Sequence, residues 1–382
     1  MTANRQAALV LEDGTVIRGR HFGAEGTIFG ELVFNTSMTG YQEALTDPSY
    51  NGQILLMTYP LIGNYGVALD HVESGRVQAE GFVVREACRE PSHRTSVMTL
   101  SEFLEQNGIP GIEGVDTRAL TIRTRERGTM RAAILGPAED QASIDEALRK
   151  VQSMPFPDSE NLVAQVSTPR PVRHPPVELV GAKPLRFVLI DCGVKQSIIR
   201  NLRRYGEVVQ VPYDMSPEEI LALKPDALAV SNGPGDPAHP AVVGTTVKHV
   251  GALVGELPIL GICLGHQILS QIFGAKTYKL KFGHRGSNQP VREVRTHTVR
   301  ITSQNHGFAV SPGSLGSETE VSEENVNDLT VEGFRHTELP IISRQYHPEG
   351  SPGPWDSLAI FGSFARLVQT VRDGKPMPTP EG

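Results

Sequence analysis

The chain is poor in cysteine and has no long apolar run. Its 382 residues include three cysteines, Cys88, Cys192 and Cys263, with no C-x-x-C pair among them. A disulfide framework and a cysteine-built zinc site are therefore excluded, and a reducing cytosol fits. No window approaches the roughly 18 consecutive apolar residues of a membrane helix. The start, Met1-Thr-Ala-Asn-Arg, runs into Leu9-Val-Leu-Glu without an apolar signal core, so a soluble, unprocessed, cytoplasmic chain is expected, with no membrane partner. Basic residues are outnumbered 36 to 43, for a net charge of -7. That balance argues against nucleic acid, because neutralising phosphates needs clustered Lys and Arg. Neither phosphate-cradling glycine motif is found, G-x-x-x-x-G-K-[ST] or a helix-opening G-x-G-x-x-G, and there is no H-E-x-x-H, so no nucleotide or metal site is assigned.

What is present is an ordinary turn-rich globular composition, 39% hydrophobic with 38 Gly and 28 Pro. At roughly 100 to 200 residues per domain the length implies two domains, or three. The first part reads as mixed α and β. Ala8-Leu-Val-Leu-Glu and Thr15-Val-Ile-Arg flank an Asp13-Gly14 hairpin signal. Strands follow at Ile54–Tyr59 and Gly81–Arg85. A helix capped by Ser101 ends at Gly108, and further helices open at Asp116 and Ser143. Seven prolines between Pro155 and Pro184 exclude helix interiors and central strands, which predicts an extended connection. Beyond it strands and helices alternate: strands at Arg186–Ile190, Val208–Val211, Ala227–Val230 and Pro258–Ile262, with helices near 195–205, from Ser216, and near 242–254. That alternation implies βαβ units and a parallel sheet covered on both faces. The expected fold class is α/β, with a mixed N-terminal domain over 1–153, a Pro-rich linker over 154–184, and over 185–378 a mainly parallel sheet flanked by helices.

Ligands bind beyond the carboxyl ends of such strands. There Gly261-Ile-Cys-Leu-Gly265 has the G-x-nucleophile-x-G form of a strand-to-helix elbow. Side chains at the two glycines would collide with neighbouring backbone. The middle thiol is left at the head of a helix, whose N-terminus favours a thiolate and whose amides can hold an oxyanion. A buried strand cysteine would fit the same residues. Cys88 and Cys192 have no such elbow and read as structural. His347, in Gln345-Tyr-His-Pro-Glu-Gly just past a late strand, can serve as base, with Glu349 two residues on projecting to the same side. A turn with a solvated His and Glu is the alternative. His266 reads as structural, and His306 as part of a pocket loop. Ser231-Asn-Gly-Pro-Gly-Asp-Pro237 allows close approach of backbone to a ligand.

Taken together, Gly261–Gln267, Ser231–Pro237 and His347–Glu349 resemble a class I triad glutamine amidotransferase domain. Phe34-Asn-Thr-Ser-Met-Thr-Gly-Tyr-Gln-Glu43, Thr46–Tyr50, Gly114-Val-Asp-Thr-Arg118, Lys281–His284, Gln304–Phe308 and Ser351–Pro354 are similar to the small-subunit family of carbamoyl-phosphate synthase, across nearly the whole chain. The resemblance implies that Cys263 attacks L-glutamine, His347 moves protons and Glu349 orients His347. It further implies that the amides of Gly235 and Leu264 hold the oxyanion, and that Ser49, Gly233, Gln267, Asn305, Gly307 and Phe308 bind the amino-acid end of glutamine. No cofactor is implied in this chain. A large subunit carrying ATP and Mg, docked on the 1–153 domain, would use the ammonia to make carbamoyl phosphate for arginine and pyrimidine synthesis, in a hetero-oligomer. Arg344, Tyr346, Gly350, Trp355 and Cys192 depart from the family's usual residues without replacing a catalytic one. A free-standing glutaminase or γ-glutamyl hydrolase, and a non-catalytic regulatory subunit, are the competing readings.

Overall fold

The computed structural model describes residues 6–138, 140–177 and 184–375. The chain divides into two compact units, Met1–Glu160 and Asn161–Gly382. Residues 1–5, 178–183 of the expected linker and 376–378 of the expected second domain lie outside the described residues. Among the described residues no helix is long and apolar enough to cross a membrane.

Among the described residues the first unit has nine strands: β1 (Gln6–Leu11), β2 (Val16–Gly23), β3 (Gly26–Asn35), β4 (Gln53–Met57), β5 (Leu61–Ile62), β6 (Gly81–Val83), β7 (Glu86–Ala87), β8 (Pro110–Glu113) and β9 (Met130–Gly136). Seven close a barrel in the order β1-β2-β8-β6-β4-β3-β9, with β9 returning to β1, while β5 and β7 pair separately. The Asp13-Gly14 turn forms as a three-residue loop. The Leu11 amide donates to Thr15 O at 2.9 Å and Gly14 takes φ 87°, a conformation that suits glycine. The helices are α1 (Tyr41–Thr46), α2 (Leu100–Gln106), α3 (Thr117–Arg127) and α4 (Gln141–Ser153). On α4, Ile144, Ala147 and Val151 recur at helical spacing and bury against Ala8, Val10, Ala133 and Leu135 of β1 and β9.

Two caps differ from expectation. Thr99, not Ser101, caps α2: its hydroxyl accepts the Glu102 amide at 3.2 Å and Glu102 accepts the Thr99 amide at 2.7 Å. That reciprocal pair satisfies two orphan donors, which a hydroxyl two residues further on cannot do. Ser101 instead accepts the Gly23 amide. Likewise α4 begins before Ser143, because Asp140 accepts the Ser143 amide at 2.7 Å.

The second unit holds β10 (Val172–His174), β11 (Leu185–Asp191), β12 (Gly206–Pro212), β13 (Ala227–Val230), β14 (Ile259–Ile262), β15 (Thr277–Glu293), β16 (Val299–Val310), β17 (Thr319–Asn325), β18 (Val331–His336) and β19 (Ile341–Arg344). All ten form one sheet, ordered β10-β12-β11-β13-β14-β19-β18-β17-β15-β16. The core β12-β11-β13-β14-β19 is parallel. The antiparallel strands β18, β17, β15 and β16 extend it on one side and β10 on the other. Its helices are α5 (Leu162–Val166), α6 (Gln196–Leu202), α7 (Pro217–Ala222), α8 (Pro240–Val242), α9 (Lys248–Gly251), α10 (Leu264–Ile272) and α11 (Ala359–Arg372). A π turn over Val243–Val247 joins α8 to α9.

Both faces of the parallel core are buried, as period-two alternation in β11 requires. Phe187 and Leu189 pack with Ile198 of α6 and Phe364 of α11. Val188 and Ile190 pack with Ile220 of α7 and Ile268 of α10. Each fully buried side chain of this size contributes about 1.5–3 kcal/mol. The proline-rich stretch is more structured than an extended connection. Between Pro157 and Pro169 lies the proline-free helix α5, and β10 adds an edge strand, a position that tolerates flanking prolines.

Candidate active site

The carboxyl ends of β11, β13, β14 and β19 lie side by side, and chain order reverses direction across the sheet at β11. Cys263 follows β14 directly, with φ 53° and ψ -104°, a strained backbone for a residue bearing a side chain. The flanking glycines explain how the turn closes. A Cβ on Gly261 would lie 2.6 Å from Gly265 O, and one on Gly265 would lie 2.1 Å from Val230 O. Hydrogen bonds hold the elbow to both neighbours: the Cys263 amide donates to Arg344 O at 2.8 Å and the Gly265 amide to Ser231 O at 3.0 Å. Among the described residues the amides of Leu264 and Gly235 have no partner, so both are available to an oxyanion. Gly233 must be glycine, since a Cβ there would meet Cys192 O at 2.1 Å, and Gly235 takes φ +90°.

His347 lies three residues past β19, and its amide donates to Ser303 O of β16 at 2.9 Å. Its Nδ1 is 2.6 Å from Glu349 Oε1, and both side chains are buried. The same carboxylate oxygen lies 3.0 Å from Lys195 Nζ, itself only 5% exposed. Burial alone would hold His347 neutral. Burial is the largest single influence, but the Glu349 charge, with hydrogen bonds to the Cys263 thiol and to Glu349, together overcome it and the opposing Lys195 and raise the imidazole to about 10. For Glu349 burial works upward, yet Lys195 and His347 bring it down to about 2. The resting pair is thus imidazolium and carboxylate. Glu349 takes Nδ1, which leaves Nε2 of His347 for the Cys263 thiol.

The Cys263 thiol lies 3.7 Å from Asn305 O and 3.8 Å from Gln345 Nε2. Gln267 Nε2 donates to Phe308 O at 2.7 Å and to Gln345 Oε1 at 3.0 Å. These contacts bring Cys263, Gln267, Asn305 and Phe308 together, with Gly307 between the last two. Ser49 belongs to the first unit, in the Pro48–Tyr50 turn, where its amide donates to Asp47 Oδ1 at 2.9 Å. His306 lies in strand β16, not in a loop. It bonds Phe308 O and Gln304 Oε1, and burial, then the charge of His284, holds it well below the usual imidazole value. His266 is buried against Ser343 Oγ at 2.9 Å, and burial brings it down to about 3. Cys192 is buried in the apolar core, which pushes its thiol up.

A family model described as carbamoyl-phosphate synthase small chain, CPSase domain, matches residues 9–134, and one described as glutamine amidotransferase class-I matches residues 188–367. The carbamoyl phosphate synthase small chain of Methanosarcina acetivorans is 50% identical over 371 residues, 96% of this chain and 99% of its own length. That of Methanocaldococcus jannaschii is 51% identical over 364 residues, 95% of this chain and 99% of its own. That of Methanopyrus kandleri is 52% identical over 368 residues, with 95% and 99% covered. The chain belongs to the carbamoyl-phosphate synthase small-chain family.

Sequence reasoning missed two residues of this small chain's site. Lys195 follows β11 at the point where chain order reverses, but its partner Glu349 is far along the chain and no spacing links them. Gln345 stood out only for its neighbours, whereas the structure buries it between the thiol and Gln267. A third feature lies beside the site. His284 is 2.9 Å from Asp328 and 3.6 Å from Glu332, and those carboxylates, against burial, raise it to about 9. Ligand atoms of His284, His306 and Glu332 lie within 4.8 Å of one another, a spacing a cation could use. The His284 imidazolium already supplies the positive charge there.

Proposed function

We propose that this chain is the glutaminase subunit of a carbamoyl-phosphate synthase, hydrolysing L-glutamine and delivering ammonia to a large subunit. The observation that carries the reading is the buried Cys263, His347 and Glu349 constellation on a glycine-flanked elbow, in a chain of this family.

The steps follow from the charges. The Nε2 proton of the His347 imidazolium is the one Cys263 gives up, so Sγ attacks the carboxamide carbon as a thiolate, and the amides of Gly235 and Leu264 hold the resulting oxyanion. As the C–N bond breaks, the His347 imidazolium gives its proton to the leaving nitrogen, so ammonia departs and a γ-glutamyl thioester remains. Neutral His347 then takes a proton from water. The hydroxide formed attacks the thioester, the C–S bond breaks to release glutamate, whose new carboxyl gives its proton to water, and the Cys263 thiolate is left beside the re-formed imidazolium. Glu349 stabilises the imidazolium, and Lys195 fixes the carboxylate. Gly233, Gln267, Asn305, Gly307 and Phe308 hold the amino-acid end of the substrate.

Ammonia in neutral water is mostly ammonium, which has no lone pair for attack, so direct transfer to a second site suits the chemistry. The large subunit would join it to bicarbonate with ATP and Mg, this chain needing no cofactor of its own, and carbamoyl phosphate would serve arginine and pyrimidine synthesis. Three free thiols suit a cytoplasmic hetero-oligomer.

The test is glutamate release by the purified chain, alone and then with the matching large subunit, bicarbonate and Mg-ATP. A large rise on mixing is expected. A fast rate indifferent to the partner would make the chain an independent glutaminase.

A further inference from the structure

The exposed face of α3 carries Arg118, Ile122 and Arg125, spaced four and three residues apart and so on one side of the helix. With Arg85, Thr58 and Pro60 they border a cleft of about 480 Å³ that no carboxylate lines. Among the described residues, none of the three guanidinium groups has a hydrogen-bond or ion-pair partner. The other arginines nearby do. Arg123 and Arg127 on the same helix bond Asp13 at 2.6 and 3.1 Å. In the adjoining cleft of about 690 Å³, which also touches Arg85, Arg20 and Arg89 both bond Glu113. The smaller cleft is therefore a concentrated, uncompensated positive site on a chain of net charge -7. Ile122, 42% exposed, lines it between Arg118 and Arg125 on the same helix face.

Resting on the reading that a large subunit binds this chain, we infer that this cleft docks an acidic segment of that subunit. Three free guanidiniums call for carboxylates. Arginine flanking an exposed apolar side chain is the composition of a protein interface, because a peptide can cover Ile122 while its acidic side chains reach the arginines. A free inorganic anion would pair with the arginines and leave Ile122 in water.

The test compares the intact wild-type small chain with Arg118→Glu/Arg125→Glu and with the milder Arg118→Gln/Arg125→Gln. Each is titrated with the large subunit in an analytical ultracentrifuge at low and moderate salt. Charge reversal is expected to weaken the complex at least about tenfold and to flatten its salt dependence. The neutral pair should show a smaller loss, and glutamate release by each chain alone should be unchanged, which also reports that both variants are folded. Equal affinity of the folded charge-reversed variant and wild type would overturn the docking site while leaving the glutaminase reading intact. Failure of wild type to bind the large subunit would overturn both. Tight binding of inorganic phosphate, lost in the variants with complex formation untouched, would overturn the docking site in favour of a small-anion site.

Discussion

Glu349→Gln isolates the charge on which the site depends. Glu349 Oε1 receives both His347 Nδ1 at 2.6 Å and Lys195 Nζ at 3.0 Å, so a glutamine amide oxygen can keep both contacts while the charge is lost. His347 is held at about 10 largely by that charge, against burial and Lys195. Without it those two push the imidazole below its ordinary value of about 6.5. The change exceeds three pH units, at about 1.4 kcal/mol each, or roughly 4–5 kcal/mol of lost preference for imidazolium. Breaking a buried ion pair costs about 3–5 kcal/mol, a similar figure. The imidazolium is the acid for the leaving ammonia. The alkaline limit of thioester formation, near pH 10 in the wild type, should therefore move below neutrality. At pH 7.5 glutamate release should fall by about 10²- to 10⁴-fold and partly recover toward pH 5.5. The assay is a pH profile of single-turnover thioester formation, with ammonium-dependent synthesis in the complex as the check on folding and assembly. An alkaline limit that stays in place would refute the electrostatic role given to Glu349.

Three further predictions test the surroundings. Gly265→Ala places a Cβ 2.1 Å from Val230 O and should cost at least about 1–3 kcal/mol and most activity, whereas Gly244→Ala, with nothing within 4 Å, should leave the thermal midpoint unchanged or raised; equal midpoints for both would contradict the elbow sterics. Gln345→Leu removes the amide 3.8 Å from the thiol and the partner of Gln267, so iodoacetamide should alkylate Cys263 about tenfold more slowly and KM for glutamine should rise; unchanged rates in a folded variant would take Gln345 out of the site. Asp328→Asn should cost only about 1 kcal/mol in urea titrations, because the carboxylate is 40% exposed. His284 is raised to about 9, so the stability this pair contributes is full below pH 6.5 and lost as pH rises through 9. Asp328 is lowered to about 2, so the contribution is full above pH 3.8 and lost as pH falls through 2. A wild-type advantage that grew above pH 7 would contradict the ion pair.

The features legible in the sequence were those set by local sterics or strict periodicity. Gly261 and Gly265 announce the elbow because only glycine fits on either side of the strained Cys263. The parallel core follows from apolar strands alternating with helices. Barrel closure by β1 and β9 was not legible, because it joins segments more than a hundred residues apart in sequence. The antiparallel extension was hidden for another reason. β15 pairs with β16 through two irregularities, between Lys279 and His284 and between Gly286 and Gln289, which break the period-two signal, and this is why His306 read as a loop residue. Thr99 and Ser101 both carry a hydroxyl, and only the position of Glu102 decides which of them caps. Lys195 and Glu349 meet only once β11 and β19 lie in the same sheet.

The central claim is that Cys263 makes this chain a source of ammonia for a partner. Carbamoyl phosphate formation by the assembled enzyme should be compared for wild type and Cys263→Ser, first with glutamine and then with ammonium salt. The variant is expected to lose synthesis from glutamine and keep synthesis from ammonium. Retained glutamine-dependent synthesis, or loss of both, would contradict it.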